Sequence, residues 1–251
     1  TSTKEIVRNM LQQAGKVFCT HGNLNGQIAI PVAVSSMPQD DDYAVYEMGM
    51  SYAGEMTKIA EIVKPDIVII TNISGVHLEN FKSINDIARA KAEIFNGMSN
   101  DGVVLLNGDN EYTSFLIELA KQHNISKIYT FGVSRESDGC LKDYYVQDGH
   151  SFIDADICGE NVKLKTEICG RHQALNVVIA LLLAKILRLD LKNIANGLTS
   201  IKRLKGRGEI LNLVVDNKNI VLLDESYNAS PVSMRSSLQA FSEFCDNNPF
   251  V

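Results

Sequence analysis

Two side chains with metal-binding chemistry follow apolar runs in this chain. Tyr43-Ala44-Val45-Tyr46 closes in Glu47-Met48-Gly49, and a second run ends in Thr71-Asn72 with His77 shortly after. A segment with helical periodicity then carries Ala90-Lys91-Ala92-Glu93. Positions just past the ends of parallel strands are where open α/β sheets bind their ligands. Glu47 offers a hard oxygen and His77 a nitrogen, a pair that suits Mg²⁺ held beside a nucleotide phosphate. Taken singly, each has a plainer explanation: a solvated acid, a loop or core histidine, and a surface lysine paired with an acid of its own helix. Their order along one chain favours a site.

The elements that must position them read as short buried strands alternating with helices. Strands are expected over Lys16 to Thr20, Tyr43 to Met48, Asp66 to Ile73, Gly102 to Asn107 and Lys127 to Gly132. Helices are expected near Ile6 to Leu11, Gly54 to Val63, Ile84 to Met98 and Tyr112 to His123. Strict alternation predicts an α/β fold, a mostly parallel sheet flanked by helices. Asp143 to Ile168 alternates polar and apolar residues around Asp148-Gly149 and Gly159-Glu160-Asn161, which predicts an antiparallel hairpin at the sheet edge. Gln173 to Leu189 reads as a long apolar helix and Leu191 to Ile201 as a second.

Lys202-Arg203-Leu204-Lys205-Gly206-Arg207-Gly208 interrupts this pattern with charge and glycine, and reads as a hinge. The division expected is therefore residues 1–201, a hinge at 202–208, and the start of a second Rossmann-like α/β domain over 209–251. Arg207 within the hinge could give a phosphate fixed, bidentate charge neutralisation, although a lone hinge arginine is usually solvated. Thr1-Ser2-Thr3-Lys4-Glu5 runs straight into a helix; by itself it is a helix cap with a nearby acid.

Composition narrows the class. With 251 residues, 45% of them apolar, the chain can bury a sizeable core. A formal charge of -6 argues against a nucleic-acid surface, which would need a basic face. No apolar run approaches the roughly 20 residues of a membrane span, and no signal-peptide pattern opens the chain. Five cysteines without a CxxC pair favour reduced thiols, and with them the cytoplasm.

The order E-M-G, T-N, H-L-E and A-K-A-E-I-F resembles the ATP-dependent Mur ligases of bacterial wall synthesis. In that family the first helix follows a loop of the type G-x-x-G-K-T-[ST], whose amides cradle ATP phosphates. The resemblance implies that Thr1 supplies a Mg²⁺-binding hydroxyl and that Glu47, His77 and Lys91 hold Mg²⁺, with Asn72 beside the nucleotide. Lys91 is implied to carry CO₂ as a carbamate, which turns a cation into an oxygen ligand. Gly170-Arg171-His172-Gln173-Ala174-Leu175-Asn176 resembles the G-x-H-N-x-x-N signature. That assigns Asn176, and less directly Gln173 in place of the usual Asn, to adenine. Leu223 to Pro231 resembles D-D-S-Y-N-A-N-P, assigning Asp224 to the ribose and Asn228 to the nucleotide and phosphate region; Glu225 and Ser230 depart from it. Gly22 to Pro31 resembles G-N-L-N-N-x-I-G-x-P and would place Asn23 and Asn25 toward a muramoyl-peptide substrate, with Gly26 and Ala29 as departures.

These variants are most similar to the branch that joins D-alanyl-D-alanine to UDP-N-acetylmuramoyl-tripeptide through an acyl phosphate, giving ADP and phosphate. In that branch Lys91, His77 and Arg207 would be the catalytic group, acting with ATP and Mg²⁺ in a monomer. Two alternatives stand beside it. One is another Mur ligase, or a folylpolyglutamate synthase, with the same Glu, His and Lys pattern. The other is a non-catalytic binding fragment. The abrupt start, without the glycines and lysine of the phosphate loop, leads us to expect a piece of a longer enzyme that is inactive by itself.

Overall fold

The computed structural model describes residues 1–251 except Asn23, Val76, His77, Asp148, Leu204, Asn228 and residues 247–251, and omits the side chains of Asn219, Val232 and Asp246. Chain order begins α1 (Ser2–Leu11), β1 (Val17–Cys19), α2 (Ala29–Ser36), β2 (Tyr43–Val45), α3 (Glu55–Val63), β3 (Ile67–Ile70), α4 (Ile84–Ala92), β4 (Val103–Asn107), α5 (Thr113–Gln122) and β5 (Lys127–Gly132). It continues with β6 (Gly139–Gln147), β7 (His150–Ile157), β8 (Glu160–Thr166), α6 (Arg171–Ile186), α7 (Leu191–Leu198), β9 (Glu209–Val215), β10 (Lys218–Asp224) and α8 (Pro231–Asp246). Two compact units result: Thr1 with Ala14–Gly139, and Ser2–Gln13 with Cys140–Val251.

In the first unit β3, β4 and β5 run parallel, with Ile67 opposite Val103 and Val103 opposite Lys127. The apolar run of β4 explains its central place: Val104, Leu105 and Leu106 are all fully buried, as a strand covered on both faces requires. β1 and β2 make a parallel pair of their own, in register Val17 with Tyr43. The expected parallel arrangement is therefore present, divided between two sheets. Helices α3, α4 and α5 bury Met56, Ala60, Ala88, Ala92 and Leu116 with Val68, Val104 and Leu106 of the sheet in one core.

Local signals set the helix ends. Ser83 caps α4 by accepting the Asp86 amide, which satisfies one orphan N–H of the first turn. After Ala92 the chain tightens into a 3₁₀ segment, Glu93–Gly97, so the long helix expected from Ile84 to Met98 is shorter and changes winding. Helix α2 is not among the helices expected from the sequence. Its Pro31 lies in the first turn, where a missing N–H costs no hydrogen bond.

In the second unit α6 is buried along Val177 to Ala184, as befits a helix apolar on every side. Ile6, Val7, Met10 and Leu11 form the buried face of α1. Strand β7 buries every second residue and pairs antiparallel with β8, matching the hairpin expected there. Cys158 and Gly159 both take positive φ at the turn. β9 and β10 pair antiparallel through Asp216 and Asn217, again both at positive φ, the backbone of a two-residue hairpin turn. No helix among the described residues is long and apolar enough to cross a membrane.

Candidate active site

In the first unit Glu47 lies just beyond the carboxyl end of β2. Thr20, itself buried, fixes its backbone by accepting the Glu47 amide at 3.1 Å. The carboxylate then gathers its neighbours. Thr1 Oγ1 donates to Oε1 at 3.0 Å, and Asn25 Nδ2 donates to the same oxygen at 3.2 Å. Burial raises the Glu47 carboxyl, and the Thr1 hydroxyl and the Asn25 amide, both donating to it, oppose that rise. A carboxylate and a hydroxyl within hydrogen-bond distance are hard oxygen donors of the kind Mg²⁺ takes. Among the described residues no three His, Cys, Asp or Glu side chains are grouped to hold a metal ion. Mg²⁺ keeps several waters and needs few protein ligands, so Thr1 and Glu47 fit as its protein-side donors.

Lys91 belongs to α4 and is partly buried. Its Nζ donates to the main-chain carbonyl of Asn72, beyond the end of β3, at 2.8 Å. Burial pushes the amine below the ordinary lysine value, because desolvation penalises the cation. The structure thus brings Lys91 and Asn72 together, and Thr1, Asn25 and Glu47 together. His77 and Asn23 lie outside the described residues.

The second unit collects the residues assigned to the nucleoside. Thr3 Oγ1 donates to Asn176 Oδ1 at 2.7 Å, Asn176 Nδ2 donates to Gln173 Oε1 at 3.1 Å, and Gln173 Nε2 donates to Ser2 Oγ at 3.4 Å. These bonds tie the N-terminal turn of α6 to that of α1. Gln173 and Arg207 also line one small pocket, with Glu5, Ile168 and Lys202. The Arg207 guanidinium stacks over Tyr227, 4.2 Å from the ring centroid, and its Nε is buried without a hydrogen-bond partner among the described residues. Asp224 accepts the Ser226 amide at 2.9 Å, and the hydroxyl and amide of Ser226 hold its carboxyl below the usual range. Asn228 lies outside the described residues.

Three contributors escaped the reading of the sequence. Glu93 caps α3, Asn110 clamps Asn72, and the Tyr144 hydroxyl accepts the Gly170 amide at 2.7 Å just before α6. Each acts across a long sequence separation; Glu93 stands in the A-K-A-E-I-F run, but nothing local to any of the three marks the partner it binds.

Residues 1–184 match the family described as the Mur ligase middle domain. Among curated relatives, the UDP-N-acetylmuramoyl-tripeptide–D-alanyl-D-alanine ligase of Rickettsia prowazekii is 34% identical over 239 residues, 95% of this chain and 52% of that protein. The ligase of the same name from Escherichia coli is 29% identical over 245 residues, 97% of this chain and 53% of its own length. The chain therefore spans about half the length of the curated relatives it matches. A crystal structure of MurF from Acinetobacter baumannii superposes with a TM-score of 0.88 at 26% identity, covering 97% of this chain and 52% of that one. With the family match extending over most of its length, this chain belongs to the Mur ligases, through their middle domain.

Proposed function

We propose that this chain is the ATP-binding portion of a cytoplasmic, monomeric ligase that adds D-alanyl-D-alanine to UDP-N-acetylmuramoyl-tripeptide. The observation that carries the reading is the desolvated Lys91 amine held beyond the end of β3, in a chain that also presents the Glu47 carboxylate beyond the end of β2. The similarity to ligases of that name over 95% of the chain supports the choice of branch.

The reaction joins an acid to an amine in two steps. The carboxylate of the tripeptide attacks the γ-phosphate of ATP, releasing ADP and forming an acyl phosphate. The dipeptide amine then attacks the acyl carbon, and phosphate leaves. A carboxylate approaching a polyanion makes charge neutralisation the main task. Mg²⁺, when bound, supplies most of that neutralisation. Thr1 and Glu47 hold it, joined by His77 and by Lys91 as a carbamate. Arg207 neutralises phosphate, and Asn72 lies beside the nucleotide. Gln173 and Asn176 hold adenine, Asp224 the ribose, and Asn228 the phosphate region. Asn23 and Asn25 face the muramoyl peptide. Residues 202–208 form the hinge before the domain for the amine substrate.

Phosphate release by the intact protein carrying this chain tests the reading. Release is expected only when ATP, Mg²⁺, UDP-N-acetylmuramoyl-tripeptide and D-alanyl-D-alanine are all present. Release driven by a single diamino acid and a UDP-linked dipeptide would assign another branch, and binding of ATP without turnover would make the chain a binding module.

A further inference from the structure

We propose that Asn110 is a positioning residue for Lys91: by clamping Asn72 and Ile73 it fixes the carbonyl that Lys91 binds, and so sets the plane in which a Lys91 carbamate is presented. The inference rests on the proposed role of Lys91. Asn110 lies on the turn between β4 and α5. Its Nδ2 donates to Asn72 Oδ1 at 2.7 Å and to the Ile73 carbonyl at 3.0 Å. Its Oδ1 accepts the Tyr112 amide at 3.0 Å. An amide whose oxygen faces an N–H donor must turn its NH₂ toward the acceptors, so the network determines the orientation of the group.

The clamp matters because no ladder holds this stretch. β3 ends at Ile70, and Thr71 to Ile73 lie outside regular structure. Side chains from the end of β4 hold it in its place: Asn107 Nδ2 donates to the Thr71 carbonyl at 3.2 Å, and Asn110 grips the next two residues. Between these fixed points the Asn72 carbonyl receives Lys91 Nζ at 2.8 Å.

Uptake of CO₂ by the neutral amine is R–NH₂ + CO₂ → R–NH–COO⁻ + H⁺. The nitrogen lone pair forms the new N–C bond, one C=O π pair becomes the carboxylate charge, and one N–H proton leaves to solvent. The product keeps one N–H, and conjugation holds that N–H coplanar with the new carboxylate. A carbonyl fixed at the position of Asn72 therefore orients both oxygens through a single hydrogen bond. Lys91 keeps its anchor in both forms.

The test is ¹³CO₂ titration of the intact protein by carbon NMR. Wild type is expected to give a carbamate signal that K91R lacks. N110D replaces the NH₂ by an oxygen facing two acceptors, so the CO₂ concentration for half-occupancy should rise roughly tenfold, the scale of one lost buried hydrogen bond. A purely structural Asn110 would lower the unfolding temperature and leave half-occupancy unchanged at temperatures where the protein is folded; that result overturns the proposal. Should N110D not fold, N72A removes only the Oδ1 acceptor and is read in the same way, with a rise expected and no rise overturning the idea. Absence of any Lys91-dependent signal in wild type would instead refute the carbamate reading of Lys91, and the Asn110 proposal would fall with it.

Discussion

Glu93 accepts the Gly54 amide with both carboxylate oxygens, each at 2.8 Å, across 39 positions of sequence. It also receives the Thr57 amide at 3.4 Å, so one carboxylate serves the N-terminus of α3. Gly54 supplies no side chain for this purpose and sits at φ 84°, leaving the cap to come from elsewhere. A negative charge at a helix N-terminus is also favoured by the helix dipole. The lysine assigned to metal chemistry thus lies two residues from an acid with a purely architectural task.

From that geometry, E93A should lower unfolding free energy by about 1–2 kcal/mol, the usual cost of a lost cap. E93Q keeps one acceptor and should lose roughly half as much. Urea denaturation of the three proteins measures this. Equal stability of E93A and wild type would mean that solvent replaces the cap without cost.

Gly97 makes a sharper case. A Cβ built there would stand 2.2 Å from the Ala60 carbonyl oxygen and 2.4 Å from its carbon, both main-chain atoms of α3. Backbone cannot swing aside as a flexible side chain does, so α3 and the 3₁₀ segment must separate. G97A should cost about 2–3 kcal/mol, in the range of overpacked cores. For a chain of this size that lowers the unfolding temperature on the order of 5–10 °C. A calorimetric midpoint within a degree of wild type would show that the crossing yields easily.

Much of this architecture was legible along the chain, for identifiable reasons. β3, β4 and β5 announce themselves because strands buried on both faces are continuous apolar runs, and α6 because it is apolar throughout. Glu47 and Lys91 were found through motifs quoted residue by residue, and the structure sets both beside the ends of parallel strands. The helix α2 was missed because Pro31 reads as a breaker unless its place in the first turn is known. Glu93 and Asn110 were missed because their partners lie 39 and 38 positions away, beyond any local periodicity. The same holds for the link from Asn176 to Thr3, separated by 173 positions.

That link makes a prediction that joins stability to ligand binding. Asn176 is held from both sides, accepting from Thr3 and donating to Gln173. N176A removes both bonds and should cost about 1–2 kcal/mol in the folded protein. N176D still accepts from Thr3 but sets a carboxylate oxygen against Gln173 Oε1, so Gln173 must turn away. If Gln173 and Asn176 meet adenine, both variants should raise KM for ATP about tenfold with kcat little changed. A KM unmoved in N176D would restrict the pair to bracing α6 on α1.

His172 provides a pH dependence whose sign can be worked out. It precedes Gln173 on α6, and its ring lies so close to Gly170 that a Cβ there would meet Cε1 at 2.8 Å. Burial pushes the imidazole below its ordinary value of 6.5, since desolvation disfavours the imidazolium. As pH falls past 6.5 the unfolded chain takes up this proton first, while the folded chain still resists it. The unfolded state then binds more protons, so stability declines with falling pH until the folded-state value is passed, where the loss levels off. Above 6.5 the residue contributes no slope. H172Q has no such proton to bind. Its stability should therefore fall less steeply than wild type across the acid side of a urea series run from about pH 8 to about pH 5, the window in which histidine titrates. Parallel curves for the two proteins would show that the ring at α6 is protonated as readily folded as unfolded.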